Sequence, residues 1–385
     1  MHIPDGFVNA PTALATGAVS LGAVTLALRR AGRNLGERTV PLLGVTAAFV
    51  FAAQMLNFPV AAGTSGHFLG AVLAAVLIGP WAAVVVMTVV LAVQAVGMAD
   101  GGITALGANV FNMAVVAGLG GYLAFRVLKA VLPRSMTGYF AAVAASSWLS
   151  VVVSAAVVSL ELAASGTVPL SVSLAAMTSV HMIIGLGEAL ITSTVLAAVL
   201  ASRPDLVSSP PADAATRHGT GGPAGSPFGR RGRPAGFVLG AVVVALALAV
   251  LVAPFASSAP DGLERVAADK GFGQAAREPI WRFSPLTEYS LPGIADERLA
   301  TSLAGLLGVV ALLGVILLVG RAFGRSRPRV ARPDTAPGLH PMAGHEHTDH
   351  RHSGHTHRHH VHVTDAPGTG PDPDHLHEEP PGPAR

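Results

Sequence analysis

Cysteine is absent from this 385-residue chain. That excludes disulfides, thiolate metal centres and cysteine nucleophiles, whatever the compartment. Lysine is nearly absent, with Lys129 and Lys270 the only two, and neither ends a G-x-x-x-x-G-K-[ST] loop. Without that loop there is no Walker A site, so any ATP-driven step needs a nucleotide site on another chain. Charged residues make up only 12% of the chain, against 51% hydrophobic, which is the composition of a membrane protein. The net charge of +3 does not point to nucleic acid, because the arginines cluster beside apolar segments. A basic start is missing as well. No Lys or Arg precedes Arg29, so the opening MHIPDGF does not read as a cleaved leader.

What is present is a series of apolar runs. A hydrocarbon layer of about 30 Å calls for roughly 20 apolar residues per helix. Seven segments fit before residue 202, at about 8–28, 39–56, 67–79, 81–98, 103–130, 137–162 and 171–200, and two follow at about 236–253 and 300–320. The expected fold is therefore all-α and polytopic: a seven-helix domain over 1–200, a flexible linker over 201–235, a two-helix module over 236–322, and a disordered tail over 323–385. The third segment is short and ends at Gly79-Pro80. Arginines and Lys129 cluster between the first and second segments, around the fifth-to-sixth connection, and after the seventh and ninth, while 57–66, 99–102 and 163–170 carry no basic residue. The positive-inside rule then places the N-terminus outside and the C-terminus in the cytoplasm of a cell-membrane protein.

An external N-terminus gives His2 a chemical use. The Met1 amine and the His2 main-chain amide close a five-membered ring on one ion, and that amide with the His2 Nδ1 closes a six-membered ring. Three nitrogens in one plane favour Ni(II) or Cu(II) geometry. Pro4 and Asp5-Gly6 favour a turn that folds the chain back. A fourth nitrogen is available from His67 in the Gly/Ser-rich stretch GTSGHF at 63–68.

MHIPDGF, GTSGHFLGA at 63–71, NVFNMA at 109–114 and HMIIGLGEALIT at 181–192 together resemble the CbiM/NikM family. These are substrate-binding membrane subunits of energy-coupling-factor transporters for cobalt or nickel. The resemblance implies an ion held by nitrogens of Met1 and His2 and by His67. It also implies Co(II) or Ni(II) as cargo without an organic cofactor, and as partners a membrane coupling subunit and cytoplasmic ATPases.

Polar residues in apolar segments must find partners, since an unpaired polar group in lipid costs several kcal/mol. Gln54, Asn57, Gln94, Asn109, Asn112, His181 and Glu188 are in this position. His181 and Glu188, seven apart, share one helix face, and Glu188 reads as the only acid well within a helix. Asn57, Ser65, Asn109, Asn112, His181 and Glu188 are candidates for holding the histidine loops in place, or for joining helices.

PDGLE at 260–264, alone a turn signal, here follows an apolar helix. In that setting it resembles the PDGLE domain of the CbiN/NikN small subunit, which implies a fused chain whose second module assists metal loading. Twelve of the sixteen histidines lie between His340 and His377. His345, His347, His350, His352, His355, His357, His359, His360 and His362 form a flexible cluster suited to buffering metal ions in the cytoplasm. Two other classes of function stay open on the residues alone: a membrane metal sensor or metalloenzyme, and a stand-alone secondary metal carrier. The first lacks an acid/base or nucleophile constellation, and the second lacks paired intramembrane carboxylates.

Overall fold

A computed structural model describes residues 1–34, 40–61, 63–211, 235–278 and 283–324. Each of the seven apolar segments of the first domain forms helix. They are α1 (Ala10–Asn34), α2 (Val40–Gln54), α3 (Ala71–Ile78), α4 (Pro80–Val93), α5 (Leu106–Val110) with α6 (Gly121–Val131), α7 (Met136–Ala164) and α8 (Leu170–Ser202). Two π-helical stretches widen the bundle, Gln94–Met98 after α4 and Phe111–Gly120 between α5 and α6. In the second module, α9 (Ala235–Ala247) continues as a π-helical turn, α10 (Gly262–Lys270) is short, and α11 (Glu297–Gly324) is long.

Among the described residues, seven helical spans are long and apolar enough to cross a membrane: Ala10–Gly32, Pro80–Met98, Leu106–Val131, Met136–Ala164, Leu170–Ser202, Gly236–Phe255 and Glu297–Gly320. This is a multi-pass, all-α membrane protein. Five of the spans belong to the first domain. The other two apolar segments fold short. α3 has 8 residues, about 12 Å at 1.5 Å per residue, too little to cross. Its limits are set by backbone chemistry: Gly70 enters it at φ 79, and Gly79 leaves it at φ 87 just before Pro80. With no residue outside the buried class before Leu77, it is a helix enclosed by protein. α2, with 15 residues, is buried at twelve of them.

The second module packs directly onto the first, with α11 against α2 and α4 and with α10 against α8. Residues Met1–Pro328 form one compact unit. Gly308 shows how tightly the two meet, because a Cβ there would collide with the ring of Phe51, which is fully buried.

The expected linker at 201–235 falls mostly outside the described residues, which stop at 211 and resume at 235. Its first part is held in place: the Ser208 amide donates to Leu77 O at 2.8 Å, Lys129 Nζ to Pro210 O at 2.6 Å, and the Tyr139 hydroxyl to Ser209 O at 3.1 Å. The histidine-rich tail lies outside the described residues.

Candidate metal centre

The first nine residues do not form a helix. They fold into the mouth of the bundle as a plug, with Ile3 fully buried and Phe7 nearly so. Asn109 clamps the plug from α5. Its Oδ1 accepts from the Ile3 amide at 2.8 Å, and its Nδ2 donates to Ile3 O at 3.1 Å. The Gly102 amide donates to the same carbonyl at 2.8 Å. Asp5 then turns the chain, its Oδ1 accepting from the Thr104 amide at 2.8 Å. The turn needs Gly6, whose φ is 94 and whose missing Cβ makes room for Ala275 O.

His67 arrives from the opposite side. A short antiparallel hairpin pairs Phe58 with Gly66 and Pro59 with Ser65 and presents His67 at its end. The following backbone is pinned by Glu188 of α8, whose Oε2 accepts from the Leu69 amide at 2.6 Å and whose Oε1 accepts from the Gly70 amide at 2.9 Å. Gln54 holds Leu69 O from α2, Nε2 donating at 2.8 Å.

 The His67 ring is itself oriented: its Nδ1 lies 3.0 Å from Phe68 O, which makes Nδ1 the protonated nitrogen and leaves the Nε2 lone pair free.

These two elements meet at the terminal amine. Met1 N is 2.6 Å from His67 Nε2 and donates to Asp261 Oδ2 at 2.7 Å. The His2 ring stacks on the His67 ring, with centroids 5.1 Å apart and planes 23° apart. His2 Nδ1 lies 3.2 Å from Asp100 Oδ1, and His2 Nε2 is buried without a hydrogen-bond partner. Below the amine is a cavity of about 10 Å³ lined by Met1, His67, Leu69, His181 and Gly262 among others, room for a single small ligand atom.

Burial dominates the electrostatics. It lowers the pKa of both imidazoles, and His67 is lowered to about 3, with the neighbouring ammonium adding to the effect. Both rings are therefore neutral near pH 7. Burial alone would raise the Asp261 carboxyl, but the ammonium and His67 outweigh it and hold the group well below the usual carboxylate range. For His67 the unfolded chain binds the extra proton between about 3 and 6.5. Its contribution to stability is thus complete above that window and is lost as pH falls through it.

The residues singled out in the sequence divide into groups. Met1, His2 and His67 come together. Asn109 and Glu188 hold the two loops that carry them, and His181 lines the cavity, its Nδ1 fixed 2.8 Å from Met177 O. Ser65 bonds instead to the second module, its amide donating to Pro260 O at 2.9 Å and its hydroxyl to Ala259 O at 2.7 Å. Asn57 lies beyond α2, just before the hairpin, where its carbonyl accepts from the Ser257 amide at 2.8 Å. Asn112 donates to Glu161 Oε2 at 2.7 Å. Glu161 is a second acid held inside the bundle: it is buried in the last turn of α7, at the edge of the segment expected over 137–162, whereas Glu188 sits well within α8.

Asp100, Asp261 and Tyr289 are neighbours that the sequence did not single out. Tyr289 donates to Asp100 Oδ2 at 2.5 Å and accepts from Gln94 Nε2 at 3.1 Å. The available signal was the Asp of PDGLE, which reads as a turn until the fold brings it to the amine. Among the described residues no three His, Cys, Asp or Glu side chains form a preformed metal cluster. A site that draws two donors from the main chain needs only two imidazoles.

Glu188 provides a test of the loop that carries His67. Glu188→Ala leaves two buried amides unpaired, at about 1–3 kcal/mol each. Thermal unfolding in detergent should show a loss of roughly 2–6 kcal/mol, and an unchanged midpoint would remove Glu188 from this role.

Residues 2–206 match the family model described as the cobalt uptake substrate-specific transmembrane region, CbiM, and residues 235–325 match the PDGLE domain. A protein of Archaeoglobus fulgidus named as a fused nickel transport protein, NikMN, is 33% identical over 319 residues, covering 82% of this chain and 96% of the relative. The cobalt transport protein CbiM of Sorangium cellulosum is 34% identical over 212 residues, covering 54% of this chain and 94% of the relative. A crystal structure of a truncated transition metal transporter is 33% identical, covering 52% of this chain and 99% of that chain with a TM-score of 0.47. The chain thus belongs to the CbiM family of cobalt and nickel transport proteins and carries a PDGLE domain in the same polypeptide.

Proposed function

We propose that this chain is the substrate-capture subunit of an ATP-driven energy-coupling-factor importer for nickel or cobalt ions. The ion binds on the extracytoplasmic side through the Met1 amine, the His2 amide and imidazole, and His67 Nε2. One observation carries the reading: the amine and His67 Nε2 lie 2.6 Å apart, with the His67 Nδ1 fixed so that Nε2 faces the amine. Two nitrogens adjacent in a square plane, each about 2.0 Å from the metal, are separated by ~2.8 Å. The pair thus stands close to the spacing of neighbouring ligands. To complete the plane, the His2 Nδ1 exchanges Asp100 for the ion.

The resemblance to capture subunits, the absence of a Walker A loop and the placement of the basic residues support the remaining parts. The nucleotide site belongs to cytoplasmic ATPase partners, reached through a membrane coupling subunit. The N-terminus faces outward and the C-terminus inward. Equilibrium binding of Ni, Co, Cu and Zn in competition tests this function. His67→Ala should weaken Ni(II) about 100-fold or more while leaving the three-nitrogen chelate a residual affinity; wild-type affinity in that variant would refute the assignment.

In the same account the tail is a cytoplasmic metal buffer. Deleting 333–385 should lower the number of ions bound per chain without removing the tightest site, and should change uptake only modestly. Complete loss of uptake would show that the tail does more than buffer.

A further inference from the structure

The second module reaches the terminal amine with one charged side chain. Asp261 stands at the N-terminus of α10, where its Oδ1 accepts from the Glu264 amide at 2.9 Å, while its other oxygen, Oδ2, accepts from Met1 N at 2.7 Å. The segment bearing it is tied to the loop that carries His67, because Pro260 O and Ala259 O both accept from Ser65. Gly262, the next residue, forms part of the cavity wall, and a Cβ there would press on the His181 ring at 2.7 Å. The carboxylate is thus placed by three separate contacts and is aimed at a nitrogen whose other neighbour is His67.

We propose that Asp261 is a positioning residue of the capture site, through which the second module orients the Met1 amine toward the ion and offsets the ion's charge. This inference rests on the reading of Met1, His2 and His67 as ligands. A bound amine keeps two hydrogens. One continues to Asp261, and this turns the nitrogen lone pair toward the ion. A divalent ion bound by one deprotonated amide, one amine and two neutral imidazoles keeps a single positive charge in a buried place, and the Asp261 carboxylate offsets it. Of the other acids nearby, Asp100 faces His2 and is engaged by the Tyr289 hydroxyl, and Glu264 accepts from the Asp261 amide at 3.0 Å, so neither serves the amine.

The cap and the charge can be separated by experiment, because Asn and Ser cap a helix as well as Asp does. In the full chain, Asp261→Asn and Asp261→Ser should bind Ni(II) roughly 10–100-fold more weakly. The visible spectrum of bound Ni(II) should stay that of the wild type, since the same four nitrogens hold it, while the ion-free thermal midpoint should fall because the Met1 ammonium loses its buried partner; circular dichroism shows that the helices are kept. Either variant alone suffices if the other folds poorly. Wild-type affinity in a folded variant would reduce Asp261 to a cap, and a changed spectrum would make it a ligand; each result overturns the proposal. His2→Ala, measured alongside, keeps the two levels apart. If it binds Ni(II) like the wild type, the ligand reading fails. If it loses binding while Asp261→Asn does not, only this inference fails.

Discussion

A three-residue extension before Met1 should abolish tight Ni(II) binding while leaving the helical fold intact. The extension moves the amine out of ring-closing register with the His2 amide and converts the Met1 nitrogen into an amide. It also forces extra chain into a place where Met1 is 5% exposed and already bonded on two sides. Apparent binding energies of about 10–16 kcal/mol over four ligands amount to roughly 2.5–4 kcal/mol per ligand, or on the order of 10²–10³ in affinity for each one lost. Removing the amine and misplacing the amide should therefore weaken binding by about 10⁴ or more. His2→Ala removes one ligand and should cost on the order of 10²–10³. A one-residue extension is the poorer test. It places the imidazole third in the chain, where an amine, two amides and that imidazole make another planar set without His67. Isothermal titration with circular dichroism as the control for folding decides the matter, and undiminished affinity in the three-residue extension would rule out the terminal chelate.

The second large effect is on pH dependence. Each ligand that must lose a proton makes affinity rise with pH. Burial lowers both imidazoles, His67 to about 3, so His67 contributes nothing between pH 6 and 8 and His2 less than an ordinary histidine. The amide always gives up a proton, and the amine adds a second wherever it is charged. Affinity should therefore rise by between one and two decades per pH unit over roughly pH 6 to 8. A site made of histidines alone would be flat across the same range, because its protons leave at lower pH. Competition titrations at half-unit intervals separate the two.

Much of this was legible in the sequence because it depends on local pattern. Apolar runs of about 20 residues can be counted, and the register of Met1 and His2 is fixed by covalent structure. Helix α3 was harder. Residues 67–79 are apolar enough to suggest a span, yet Gly70 and Gly79 take left-handed and related conformations that stop the helix at 8 residues. Apolarity reports burial, and α3 is buried by protein. Asp261 and Tyr289 were out of reach for a different reason. Their partners lie 260 and 189 residues away, and neither PDGLE nor TEYS carries a local sign of what it will touch. Glu188 was identified as costly in an apolar helix, but that it spends both oxygens on the Leu69 and Gly70 amides is a fact of the fold.

The central claim is that main-chain nitrogens at the start of the chain hold the ion, and counting protons tests it most directly. Calorimetric Ni(II) titrations at pH 7, in buffers of differing ionisation enthalpy, give the number released per ion bound. The terminal chelate predicts between one and two, the amide proton plus the charged fraction of the amine. Release of none, with affinity unchanged, would leave only the two neutral imidazoles as ligands and would contradict the account.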